Sequence, residues 1–244
     1  LPLTGTLGAE VRLVGPVEAP TGSVRARADG LRLTEGAGRS LPAANVQLTA
    51  QVGPAGTEVE ARAEAGKGAR LGLVGRIGGG PTFGTGVLDL RADGRLDLAL
   101  LDPLLTGSGH GLRGQTILDT RIRGTLGAPR LDGSLQLTEG AFWDRSLGLA
   151  LTDIRGRLGL AGETLRVEPI EARAGPGTLT VEGSIGLLSP GLPVDLRLSA
   201  RDARPLQRDE LSLQGDADLR LTGAARERLG LAGTVQLDRM EVRL

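Results

Sequence analysis

The chain has 244 residues with 29 basic groups against 29 acidic ones and a pI near 6.9, which argues against a nucleic-acid surface built on bulk positive charge. Forty glycines stand beside two Phe, one Trp and no Tyr, so large rings cannot fill a deep core, and Leu, Val, Ile and Ala must supply a thin apolar layer instead. No cysteine is present, which removes disulfides, thiolate metal sites and Cys nucleophiles and suits an oxidising compartment.

Alternation of apolar and polar residues dominates the chain and predicts half-buried strands throughout. In order, the alternating positions are Leu31/Leu33, Val46/Leu48, Val59/Ala61/Ala63, Leu71/Leu73, Leu88/Leu90 and Leu96/Leu98. A Gly-rich stretch, Gly78 to Gly86, follows the fourth of these and marks a possible seam. Leu98 to Leu105 contains Pro103 and is long enough for only a turn or two of helix. Alternation resumes at Leu147/Leu149/Leu151, Leu165/Val167, Leu179/Val181 and Val194/Leu196/Leu198. Ala203 to Glu210, around Pro205, is expected to be a loop or helical turn. The clearest run is Leu211 to Leu221, followed by Val235/Leu237. Asp93-Gly94, Asp132-Gly133 and Glu182-Gly183 are predicted turns or bulges. Strands of about ten residues would number roughly 16 to 20 in a meander, about 4.8 Å apart. Each has one apolar face, and such a face must be covered or curled inward.

A weak repeat reinforces the pattern. Leu3-Thr-Gly, Ile122-Arg-Gly and Leu221-Thr-Gly each close a strand and are followed by a second glycine: Gly15, Gly133 and Gly233. The whole of 1–244 reads as one continuous β segment, and because the pattern runs to both ends it is expected to be a piece of a longer protein. No run of 18 consecutive apolar residues occurs.

Candidate chemistry is sparse. Gly78-Gly-Gly-Pro-Thr-Phe-Gly-Thr-Gly86 lacks the Gly-Lys-Ser/Thr ending of a phosphate loop, since Lys67, the only lysine, precedes Gly68. His110 is the only histidine, and a Ser-His-Asp reading would draw on Ser108 and Asp102 nearby. Its Gly-rich surroundings, Thr106 to Gly111, read more simply as a loop. Phe142 and Trp143 are either an aromatic plug in one hairpin or ligand contacts, and being adjacent on a strand they face opposite ways. No catalytic set, metal site or cofactor loop emerges, so an enzyme ranks last and no cofactor is expected.

The stretch Leu118-Asp-Thr-Arg-Ile-Arg-Gly-Thr-Leu-Gly-Ala-Pro-Arg-Leu-Asp-Gly-Ser-Leu-Gln-Leu-Thr-Glu-Gly140 resembles the C-terminal domain of the TamB family, the translocation and assembly module proteins. Leu149 to Leu158, Gly175 to Ile185 and Leu229 to Leu237 continue the resemblance, which is strongest over 94–244. It implies an all-β fold: an elongated, curled, mostly antiparallel sheet forming an open apolar trough, the β-taco of AsmA-like and bridge-like lipid transfer proteins. It also implies a periplasmic location in a protein anchored in the inner membrane. The implied partners are phospholipid acyl chains, a TamA-like outer-membrane barrel reached through the full-length protein, and outer-membrane protein clients such as autotransporters.

Alternation and resemblance together select a lining of Leu135, Leu137, Leu149, Leu151, Leu179, Val181, Leu196, Leu198, Leu213, Leu219, Leu221, Val235 and Leu237. Three functions compete. The first is conduction of acyl chains between the membranes; the second is assistance to outer-membrane protein assembly by β-augmentation; the third is a structural β-solenoid stalk.

Overall fold

The computed structural model describes residues 3–16, 19–35, 37–79, 86–105, 109–146, 148–207 and 211–242. Fourteen strands account for nearly all of them: β1 (Leu3–Val14), β2 (Thr21–Leu33), β3 (Ala44–Gly53), β4 (Gly56–Ala65), β5 (Ala69–Gly78), β6 (Val87–Asp97) and β7 (His110–Thr125). There follow β8 (Ala128–Asp144), β9 (Leu149–Gly162), β10 (Thr164–Ala174), β11 (Gly177–Gly186), β12 (Pro193–Gln207), β13 (Leu211–Ala224) and β14 (Arg228–Val242). They form one open sheet in chain order, each strand beside its sequence neighbour, so the expected all-β meander is what folds. Fourteen strands replace the expected 16 to 20 because several are longer than ten residues, β8 reaching 17.

Two compact units divide the chain, one of 1–104 with 117–133 and the other of 105–116 with 134–244. Within the first, β1 to β6 pair antiparallel in near-constant register. Helical content among the described residues is confined to short turns, at Ala37–Ser40 and over Leu98–Leu105, the latter where Pro103 had limited the expected helix. The Asp97 carboxylate accepts from the Ala99 backbone N–H at 3.0 Å and opens that turn as an N-cap. Residues 80–85 of the possible Gly78–Gly86 seam lie outside the described residues.

Two local expectations are corrected. Ala203 to Gln207 continues β12 as strand instead of forming a loop, because β12 runs on past the tip of the β10–β11 hairpin. Pro205 falls in the register shift between Ala203 and Leu206, where the ladder is already interrupted and a proline is tolerated. Asp93-Gly94, Asp132-Gly133 and Glu182-Gly183 lie inside β6, β8 and β11, not at turns. Gly183 sits opposite Leu196 with φ +140°, and a Cβ there would stand 2.1 Å from the Asp195 carbonyl oxygen. Close backbone approach, not chain reversal, is what this glycine permits.

Candidate functional site

Register turns the alternation into rows. Across the first unit the cross-strand partners Val11, Val24, Ala50, Val59, Gly75 and Leu90 form one unbroken apolar line, and Ala9, Ala26, Leu48, Ala61, Leu73 and Ala92 form the next. Six strands span about 24 Å at the usual spacing. Small residues, Ala and Gly, are interspersed with Val and Leu along these lines. Leu88, Leu90 and Ala92 on β6 are buried, which marks an inward-turned face.

The opposite face carries the charges. Arg76 contacts Glu58 at 2.7 Å, Arg70 contacts Glu64 at 2.9 Å, and Arg91 reaches Asp119 at 2.9 Å. These groups are largely exposed, so they keep the face wet and the chain soluble more than they hold the strands together.

In the second unit the lining candidates fall into similar rows. Val181, Leu198 and Leu219 are cross-strand partners in one, and Leu196 and Leu221 lie in the next, between Gly183 and Leu231. Leu179 joins Ala200, Ala217 and Val235; Leu237 opposes Gly215, and Leu213 opposes Met240. Leu135 and Leu137 lie on β8 and are half-buried, as are Leu149 and Leu151 on β9. Val235 and Leu237, on the end strand β14, are 61% and 52% exposed.

Here the face is not open everywhere. Beyond the short β10–β11 hairpin, β9 and β12 converge until Leu149 pairs with Leu206. Ala174, Ala200 and Ala203 are buried beneath, with Leu151, Leu179 and Ala217 packed against them. Asp153 and Asp202, both at positive φ, sit where the two strands bend over the tip. Local strain of this kind persists only when neighbours hold it. Asp202 does have such neighbours: its backbone N–H donates to the Asp216 carboxylate at 2.8 Å, and its own carboxylate accepts from the Gln214 side chain.

On the polar face of this unit Arg220 grips Asp195 through two bonds of 2.7 and 2.8 Å. That hydrogen bond holds the Asp195 carboxyl below the usual carboxylate range and raises the Arg220 guanidinium. Asp218 is held low first by the Ser199 hydroxyl at 2.9 Å and then by Arg201 at 3.0 Å.

The remaining candidates resolve differently. His110 pairs with Asp144, not Asp102: its Nε2 lies 2.8 Å from the Asp144 carboxylate, which is buried and also accepts from the Ser146 backbone N–H and hydroxyl. Ser108 lies outside the described residues. Sequence proximity misled here because the antiparallel return of β8 brings Asp144, 34 positions away, beside the first residue of β7. Phe142 stacks on the His110 ring at 6.0 Å, whereas Trp143 covers Gly111 and carries the Arg113 guanidinium 5.4 Å above its ring. The two aromatics thus face opposite ways and plug the β7–β8 end, with His110, Asp144 and Ser146 forming a structural clasp.

What the apolar face can do follows from its chemistry. It offers continuous aliphatic contact and no directional polar anchor along the rows of either unit. A flexible alkyl chain meets similar surroundings at each strand, with about 0.8 kcal/mol gained per methylene removed from water.

Among the described residues no helix is long and apolar enough to cross a membrane. No curated protein and no solved structure matches the chain. The family model described as the TamB C-terminal domain matches residues 168–244, from the irregular middle of β10 through β14. The Leu118–Gly140 stretch that carries the sequence resemblance lies N-terminal to that match. TamB proteins are proteins of the cell envelope. The match covers the C-terminal part of the chain, and that part, strands of one antiparallel sheet with an apolar face, is similar to the TamB C-terminal domain.

Proposed function

We propose that the chain is a periplasmic groove segment that conducts phospholipid acyl chains between the inner and outer membranes, as part of a protein anchored in the inner membrane. The single observation that supports this most is the run of apolar rows, continuous from β1 to β6 in the first unit and from β11 to β14 in the second, backed by a charged outer face. Similar surroundings at every strand favour sliding over tight capture, which suits passage better than storage. The segment works by contact alone and catalyses no reaction, and a TamA-like outer-membrane barrel would be met through the full-length protein.

The test is lipid recovery. Purified chain carrying Leu198→Arg or Leu219→Arg, each in the middle of a row, should retain its circular dichroism. Phospholipid recovered by extraction and mass spectrometry should fall at least about tenfold, the equivalent of 1.4 kcal/mol. Undiminished lipid in both variants would refute conduction along this face.

A second reading, assistance to outer-membrane protein assembly by β-augmentation, rests on the similarity of residues 168–244 to the TamB C-terminal domain. A proline in β1 or β14 should cripple client assembly while leaving lipid crosslinking at Leu198 intact.

A further inference from the structure

We propose that the polar face of the second unit carries a site for the phosphate group of a water-soluble ligand, held by Arg166, Ser184 and Arg197. A cleft of about 790 Å³ opens there, among the outward side chains of β10 to β13. Arg166, Ser184 and Arg197 all line it, on the side of the sheet away from the apolar rows. At its margin lies the register shift between Val167 and Ile170, an irregularity of the kind that re-aims side chains beside functional sites.

The charges of the cleft divide into those already answered and those that are not. Asp195 is held by Arg220 through bonds of 2.7 and 2.8 Å, and Asp218 by Ser199 and Arg201 at 2.9 and 3.0 Å. Glu168 lies 3.9 Å from Arg157. Among the described residues Arg166 and Arg197 make no hydrogen bond or ion pair, and Glu182 is the one lining carboxylate in the same condition. Two free guanidinium groups therefore face one free carboxylate. Arg197 also stands directly opposite Arg220. Among the described pairings of β9 to β14, no other like charges oppose each other. Such a pair destabilises a sheet, and an anion seated beside it removes the repulsion.

The class of ligand follows from where the donors stand. Ser184 is the cross-strand partner of Arg166, and Arg197 is the partner of Glu182, two positions before that serine. The two arginines are thus two strands apart, about 10 Å, with the Ser184 hydroxyl on the strand between them. Donors converge from three strands. A planar carboxylate presents two oxygens and leaves one donor unanswered. A tetrahedral phosphate meets all three, with oxygens on each guanidinium fork and another on the hydroxyl. The site lies on the opposite face from the acyl-chain rows, so it does not depend on conduction.

Isothermal titration calorimetry of the intact chain with inorganic phosphate and with glycerol 3-phosphate tests it. Both should bind at millimolar concentration or below, with a heat that chloride does not give. Arg166→Gln and Arg197→Gln, at exposed positions, should each weaken binding about tenfold, and Ser184→Ala should weaken it less. Arg155→Gln removes a polar-face arginine already paired with Glu171 and should leave binding unchanged. Dihexanoyl phosphatidate should bind no tighter than glycerol 3-phosphate, because its tails find no apolar row on this face. Leu198→Arg, on the other face, should keep full phosphate binding even where it loses lipid, which separates this site from the conduit. The proposal is overturned if neither phosphate compound binds the unaltered chain, or if the double variant Arg166→Gln with Arg197→Gln binds as well as that chain. Tighter binding of phosphatidate that Leu198→Arg abolishes would also overturn it, by assigning the phosphate to a lipid headgroup.

Discussion

From β1 to β6 the first unit keeps its apolar rows in step, with register shifts only at Thr4/Thr6 and Ala28/Leu31. From β9 to β14 the second unit breaks step repeatedly: between Val167 and Ile170, between Ala200 and Ala203, and between Gln214 and Gly215. The same two-residue alternation therefore produces a regular surface in one unit and a locally closed one in the other. Strand length and bulges decide between them. Where neighbours match in length, as β3 and β4 do at ten residues each, the rows stay open. Where 14- and 15-residue strands flank a hairpin of 11 and 10, the longer strands meet over its tip and Ala174 is left 1% exposed.

Glycine substitution gives the largest expected separation of the two units. In Gly183→Val the new side chain would collide with the Asp195 carbonyl oxygen in the centre of the second unit and must also hold a positive φ. A loss of about 3 kcal/mol or more is expected there. Gly22→Val meets an equally close carbonyl, that of Arg12, but its partner is the end strand β1. Hydrogen exchange should show only β1 freed in Gly22→Val and β10 to β13 freed together in Gly183→Val. Equal protection loss in both would break the contrast.

Ala200→Asp comes next. It buries a carboxylate in the closed alanine cluster and should cost about 2–4 kcal/mol by denaturant titration. Ala50→Asp, on an open row between Val24 and Val59, should cost less than half as much, because water reaches the half-exposed site. A smaller effect is expected from Asp153→Gly, which relieves the left-handed backbone but gives up the Arg173 contact at 3.3 Å. The net gain should stay within about 1 kcal/mol, read as a small rise in Tm.

The smallest effect concerns acid. Asp195 and Asp218 have folded pKa values below their ordinary ones, so their contribution is complete above the ordinary carboxylate value and fades as pH falls through the lowered ones. Arg220→Gln and Ser199→Ala should each lower stability slightly at neutral pH, with the difference from the unaltered chain shrinking as pH falls through the lowered carboxylate values. A variant as stable as the unaltered chain at neutral pH, or one whose deficit persists in acid, would remove these bonds from the account.

The inward positions were legible in the sequence wherever alternation ran without interruption. Leu211 to Leu221 and Val194 to Leu198 both lie in regular ladder. The bulges were also written there, as two polar or proline positions between apolar ones: Glu168-Pro169 between Val167 and Ile170, and Arg201-Asp202 between Ala200 and Ala203. They are hard to read as bulges because the same two residues equally suit a turn. Pro205 produced that misreading outright, since a proline breaks a regular ladder but is tolerated at a register shift such as the one between Ala203 and Leu206. The alanine cluster could not be anticipated, because its closure depends on β9 meeting β12 across two intervening strands. The His110–Asp144 pair was hidden for a related reason: only the length of the β7–β8 hairpin places its ends together.

The meeting of β9 and β12 works as a tailor's dart does in cloth. Taking up material at one margin forces the remainder to cup, with no seam needed elsewhere. Two extra residues on each side of the Gly175-Pro176 tip would let the dart out and flatten the sheet locally. Insertions and deletions in hairpins, which leave every lining residue unchanged, therefore set how strongly this part of the sheet bends.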